Sequence, residues 1–399
     1  MPSLGRLGRA VPRDVWVALG VVVLLRLALS ALGLVLWLEG DLPGPCHFEI
    51  ARDGWAQLPP LANGPLEFPL VGIWQRWDAC WYSKVATFGY LPDGSTTFLP
   101  LMPAAMRLVS IPLGGDVALA GLVVSGIAMV AALVGLQRLV AQDLGISVAR
   151  RTVWLVAVWP AALYWAAPFT EALFLATSVW AFRFARQQRW VPAGLAAALA
   201  VATRLPGILL VLPLAWEAGR AALGQWRAGG VVPARSIAAS AAAVAAPALA
   251  LGAIVAVQVA LTHTNLFDSQ DAWGGRDFHP PWETVAAAWD WIQHGSTLRG
   301  IEALNLTALL ICAGLAVLGI GRIPASYVLY AAATVLLLAI RIQPTPLTAT
   351  VRYLGVAFPC FVVAGLLLRR PSAERAWLVV SAAFAGLLTV LFLRGSFVA

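Results

Sequence analysis

Residues 117–140 read VALAGLVVSGIAMVAALVGLQRLV, an apolar run with no charge before Arg138. A helix crossing the hydrocarbon core of a bilayer needs about 20 such residues. The run is continuous, whereas the strands of a membrane barrel alternate in segments of roughly ten. Ile237–Leu261 repeats the pattern. The chain as a whole follows suit: of 399 residues, 60% are hydrophobic and 12% charged, and the mean hydropathy is +0.81. A soluble domain carries about 25% charged residues. Lipid must therefore solvate much of this surface, and the chain reads as an all-α polytopic membrane protein.

The net charge of +8 does not point to nucleic acid. Lys84 is the only lysine, and many of the arginines stand at the ends of apolar runs, where they set topology and meet headgroups. Cys312 and Cys360 lie within apolar runs as small core residues. Cys46 and Cys80 share the first polar segment and can pair if that segment faces an oxidising space. The first apolar run, 15–38, is too long for a cleaved signal peptide, and no small-residue cleavage site follows it.

Apolar runs at 15–38, 117–140, 152–168, 170–184, 190–216, 236–262, 302–321, 324–341, 347–368 and 376–394 predict about 10–11 transmembrane helices in one domain. Two polar stretches, 39–98 and 263–301, interrupt them. Arg6, Arg9 and Arg13 place the N-terminus in the cytoplasm and so the 39–98 loop outside. Arg138, Arg150, Arg151, Arg183, Arg186 and Arg189 then fall inside as the rule requires. A single crossing by 190–216 would throw Arg220, Arg227 and Arg235 outside. Thr203-Arg204-Leu205-Pro206-Gly207, in mid-run, resolves the conflict. Proline removes a helix hydrogen bond, and a charge at depth needs a partner or a wet cavity. The run is read as two half-helices turning back at Arg204. The 39–98 loop, the 263–301 loop and the turn at 341–352 then share the external face.

The densest polar chemistry is Trp74-Gln75-Arg76-Trp77-Asp78-Ala79-Cys80-Trp81-Tyr82-Ser83-Lys84. In a helix over 77–88, Asp78, Trp81 and Tyr82 share a face. A carboxylate among aromatic rings suits a sugar or interfacial lipid, and it can accept a hydroxyl proton. The same residues also read as an interfacial helix, with Asp78 as its N-cap or paired with Arg76.

Arg76-Trp77-Asp78, Trp81-Tyr82, Gly89-Tyr90 and Phe98-Leu99-Pro100-Leu101-Met102-Pro103 together resemble the first external loop of the PIG-V mannosyltransferases, the GPI mannosyltransferase II family and its bacterial relatives. Trp159-Pro160-Ala161 with Phe169-Thr170-Glu171-Ala172-Leu173-Phe174 is similar to a second element of that family. Ala202-Thr203-Arg204-Leu205-Pro206-Gly207 is similar to a third, and Thr350-Val351-Arg352-Tyr353 to a fourth. Leu99 and Leu205-Pro206 depart from the family pattern, which bears on acceptor and sugar rather than on fold.

The resemblance implies a GT-C glycosyltransferase fold in the plasma (inner) membrane, with its active site on the non-cytoplasmic side. It implies a polyprenyl-phosphate sugar as donor, a lipid or cell-envelope acceptor, no resident cofactor, and Asp78 as base. Trp77, Trp81, Tyr82 and Glu171 are the remaining candidate substrate contacts, with Arg204, Arg341 and Arg352 as candidates for the lipid phosphate. Each has a plainer reading. Glu171 also suits a helix N-terminus, Arg204 could cap carbonyls at the helix break, and Arg352 could be a surface arginine near headgroups. A transporter of polyprenyl-linked saccharides is the competing class, and a partner-binding scaffold a third. In the 263–301 loop, Pro280-Pro281-Trp282-Glu283 reads as the start of an interfacial helix. His263, His279 and His294 lack metal-ligand spacing. Asn305-Leu306-Thr307, a formal glycosylation tripeptide, carries no weight at a helix start.

Overall fold

The computed structural model describes residues 12–40, 42–55, 57–272, 278–340 and 345–398. Among the described residues the regular elements are helices. The first half contains α1 (Arg13–Glu39), α2 (His47–Asp53), α3 (Glu67–Leu70), α4 (Asp78–Phe88), α5 (Leu101–Ser110), α6 (Val117–Leu144), α7 (Ile146–Ala157), α8 (Leu163–Ala166), α9 (Glu171–Arg186) and α10 (Trp190–Thr203). The second contains α11 (Val211–Arg227), α12 (Ala234–Thr262), α13 (Leu266–Ala272), α14 (Pro281–His294), α15 (Arg299–Leu318), α16 (Ala325–Ala339), α17 (Thr350–Leu354), α18 (Phe358–Leu367) and α19 (Pro371–Leu393). Among the described residues, six segments are long and apolar enough to cross a membrane: α1, α6, Leu205–Arg227, α12, α15 and α19. This is the build of a polytopic membrane protein.

The break at Arg204 is present. Helix α10 ends at Thr203, Arg204 is extended, and Leu205–Leu210 forms a 3-10 turn leading into α11. The chain doubles back so tightly there that a side chain at Gly207 would collide with the backbone of Ala200 and Val201. Arg204 meets Glu171 at one end of α9, while Glu217 of α11 meets Arg186 at the other. Residues 190–216 thus run along α9 and back.

Two expected spans are not single helices. Run 152–168 ends as a helix at Ala157, ahead of Pro160, which disfavours helical geometry at Trp159. Run 347–368 is divided into α17 and α18, because Pro359 can occupy only the first turn of a new helix. The two breaks pack on each other. Trp159 Nε1 donates to Val351 O at 2.6 Å, and Gly355 leaves room for the Trp159 and Trp165 rings. Irregular backbone in a membrane domain survives where protein covers it.

The 39–98 stretch is a folded cap rather than an open loop. Cys46, Trp55, Cys80, Trp81, Tyr82 and Phe98 form a hydrophobic cluster with Met102 and Met106 of α5. Cys46 and Cys80 are disulfide-bonded. Thr96 bonds Ser269 and the Asn265 carbonyl, and the His279 amide donates to Ile340 O, so the three polar segments do converge.

Glu49 is buried in this cap, and neither carboxylate oxygen attains a full hydrogen bond. Burial pushes its carboxyl above the ordinary range, only partly offset by the Glu49 and Trp77 amides and by Arg52 and Arg76. Unfolded chains therefore ionise first as pH rises, and the folded state loses stability up to the folded pKa. Glu49→Gln should raise the melting temperature by about 2 °C at pH 7–8 and leave it unchanged near pH 4. Thermal unfolding at both pH values checks this.

Candidate active site

Asp78 opens α4, and the chain is forced into place just before it. Trp77 has φ +52°, a strained setting for a bulky residue. Arg76 turns its two terminal nitrogens elsewhere, donating to Pro43 O and Gly44 O at 2.7 Å each, and is not the ion-pair partner of Asp78. That partner is Arg352, whose Nη2 lies 2.8 Å from Asp78 Oδ2.

Arg352 in turn donates its Nε to Glu171 Oε1, the same oxygen that receives Arg204 Nη1. Four side chains from four helix termini thus form one chain, Asp78–Arg352–Glu171–Arg204, with two charges of each sign. The helix break sends Arg204 to Glu171 rather than to backbone carbonyls. The Glu171 side chain is 1% exposed and Arg352 3%, so neither is a surface group. Arg204 is 12% exposed and Asp78 28%, which leaves these two at the open edge. Glu171 Oε2 is buried without a hydrogen-bond partner. Aromatic rings wall the guanidinia: Arg352 lies 4.7 Å from both Tyr164 and Phe169, and Arg204 lies 4.4 Å from Tyr353.

The aromatic residues around Asp78 serve packing. Trp81 is stacked on Phe98 at 5.2 Å and set edge-on to Trp55, and Tyr82 is buried edge-on to Phe98. Neither ring presents an open face. Burial and the nearby Asp78 charge push the Tyr82 phenol up, so it stays neutral beside the cluster. Trp77 is half-buried, stacked on Phe48 at 5.4 Å and edge-on to Phe397 at 5.1 Å. Arg341 lies outside the described residues.

The structure adds residues that the sequence reading passed over. Glu302 Oε1 accepts from the Leu347 amide and Asn305 Oδ1 from the Val351 amide, both at 2.9 Å, while Trp159 holds the Val351 carbonyl. Ala349, at φ +63°, completes the strained turn that delivers Arg352. Asn305 is buried in this role and unavailable for glycosylation. Replacing it by Leu leaves the Val351 amide unpaired. Amide exchange across 347–352 should then quicken about tenfold, while Asn305→Asp, which keeps the acceptor oxygen, should stay near the parent rate. Exchange measured by mass spectrometry decides it. Lys84 is buried, 2.7 Å from Asp93 and 4.2 Å from the Trp55 ring, so the one lysine fastens the cap.

Among the described residues, no three His, Cys, Asp or Glu side chains are grouped as metal ligands. His279 and His294 each pair with a carboxylate one turn away on α14. At the opposite end of the bundle a second network joins Arg186 to Asp143 and Glu217, with Ser326 and Tyr327 donating to the two carboxylates.

No known family model matches the chain, and no curated protein matches it.

Proposed function

We propose that the chain is a glycosyltransferase of the GT-C kind, similar to the PIG-V mannosyltransferases. It would move a mannosyl or related hexosyl residue from a polyprenyl-phosphate donor to a lipid-linked or cell-envelope acceptor. The observation that carries this reading is the placing of Asp78, a partly open carboxylate held at the edge of a buried ion cluster by Arg352. The acceptor hydroxyl attacks the anomeric carbon and gives its proton to Asp78. The bond from that carbon to the phosphate oxygen breaks, and its electron pair leaves with the lipid phosphate. Arg204, the guanidinium nearer the open edge, receives the phosphate charge, and Arg352 holds Asp78 in line. No resident cofactor enters these steps. The Cys46–Cys80 disulfide supports a cap on the oxidising, non-cytoplasmic side of the plasma membrane, with the N-terminus cytoplasmic.

Movement of an intact saccharide lipid is the second reading, favoured by one observation. Buried ion networks stand at both ends of the bundle, as two alternating gates would. Purified protein in sealed vesicles, given radiolabelled polyprenyl-phosphate mannose and envelope lipids, separates the two. Label appearing in a new glycolipid supports transfer. Label that changes leaflet while still on its donor supports transport and overturns the transferase reading.

A further inference from the structure

The described helix α14 presents three different faces. Thr284 and Ala288 are buried against the bundle, with Val285 and Ile292 packed beside them. Trp282 and Trp289, two turns apart and therefore on one side, are 71% and 58% exposed. Glu283, Asp290 and His294 form a third, polar stripe, and Asp290 and His294 are each at least 70% exposed.

The helix is also held in a fixed attitude. Arg299, the first residue of α15, donates to the carbonyls of Ile292 and Gln293 at 2.6 Å each. Trp291 Nε1 donates to Thr297 O across the same corner. On either side in the chain stand apolar helices that fit a membrane, α12 ending at Thr262 and α15 starting at Arg299. Their outward surfaces carry exposed Leu261, Leu310 and Ile311.

The geometry points to α14 lying in the boundary between lipid headgroups and acyl chains, with its tryptophan side toward the chains and its acidic side toward water. Three environments meet a helix in that position, namely protein, lipid and water, and three faces match them. Tryptophan belongs at such a boundary because its ring is apolar and its N–H can stay wet. The polar stripe is acidic rather than basic, so the partner is the apolar boundary itself and not an anionic headgroup. One consequence concerns the ion cluster. Asn305, which holds the turn carrying Arg352, lies about 9 Å along α15 from Arg299. The turn that carries Arg352 is then about 9 Å on the acyl-chain side of that boundary, covered by protein. This placement stands whether or not the chain transfers sugar.

Trp289→Cys and Asp290→Cys test it, since neighbouring helix positions stand about 100° apart, 289 on the tryptophan side and 290 on the polar stripe, and Trp282 is kept. Each variant, confirmed as monodisperse in phosphatidylcholine nanodiscs, is labelled with a small fluorophore and quenched in turn by acyl-chain nitroxide lipid and by aqueous iodide. The 289 label should be quenched by the nitroxide lipid at least about threefold more than the 290 label, with the order reversed for iodide. Equal iodide quenching at both positions would place the face in water. Shielding of the 289 label from both quenchers would mean that protein covers it. Either result overturns the proposal.

Discussion

Glu171→Leu should yield little folded protein, with stability lowered by about 3–5 kcal/mol. Glu171 Oε1 is shared by Arg352 and Arg204, and those guanidinia lie among aromatic rings. Removing the carboxylate leaves two positive charges facing one another with only Asp78 to balance them. Breaking a buried pair by deleting one partner costs far more than the pair contributes, because the remaining charge is stranded. Glu171→Gln keeps the shape and one acceptor oxygen and should fall between parent and Leu. Detergent-resistant yield and thermal unfolding of the three forms check the order. A Leu variant as stable as the parent would mean that water, not Glu171, satisfies the arginines.

Arg352→Lys should fold yet lose sugar transfer by about 10²–10³-fold. The guanidinium uses two separate nitrogens, Nε toward Glu171 and Nη2 toward Asp78. A lysine ammonium keeps the charge but cannot reach both carboxylates in that planar fork. Glu171 retains a cation in Arg204, so stability should suffer less than in the Glu171 variants, while Asp78 loses the contact that aims it. Initial rates of transfer beside a melting curve distinguish loss of aim from loss of fold.

The all-helical membrane architecture was legible because apolar length is a property of the chain alone. The break at Arg204 was legible for a different reason. An arginine, a proline and a glycine in mid-run each violate the local rule for a span, and Gly207 does lie against the backbone of the preceding helix. The misread spans, 152–168 and 347–368, show the opposite weakness. Their mean apolarity outweighed Pro160 and Pro359, which set the actual helix limits. The ion cluster was visible only as parts. Asp78, Glu171, Arg204 and Arg352 stood out singly, each with a bland reading, and Arg352 lies 274 positions from Asp78. No periodicity spans that separation, so only the packed structure could join them. Asn305 was hidden by a glycosylation tripeptide, although a polar amide in an apolar run already marks a buried hydrogen bond to be found. The aromatic residues erred in the other direction. Trp81 and Tyr82 were read as a ligand face, but the disulfide-bonded cap folds them into its own core.

The most direct test of the central claim is a single-turnover measurement on Asp78→Asn. Parent and variant are loaded with radiolabelled polyprenyl-phosphate mannose, the bound label is counted, acceptor lipid is added, and the product is quenched over time. The variant should bind donor as the parent does and transfer it about 10²–10⁴-fold more slowly, because only the group that accepts the hydroxyl proton has been neutralised. Transfer by Asp78→Asn at the parent rate would contradict the assignment of Asp78 as base.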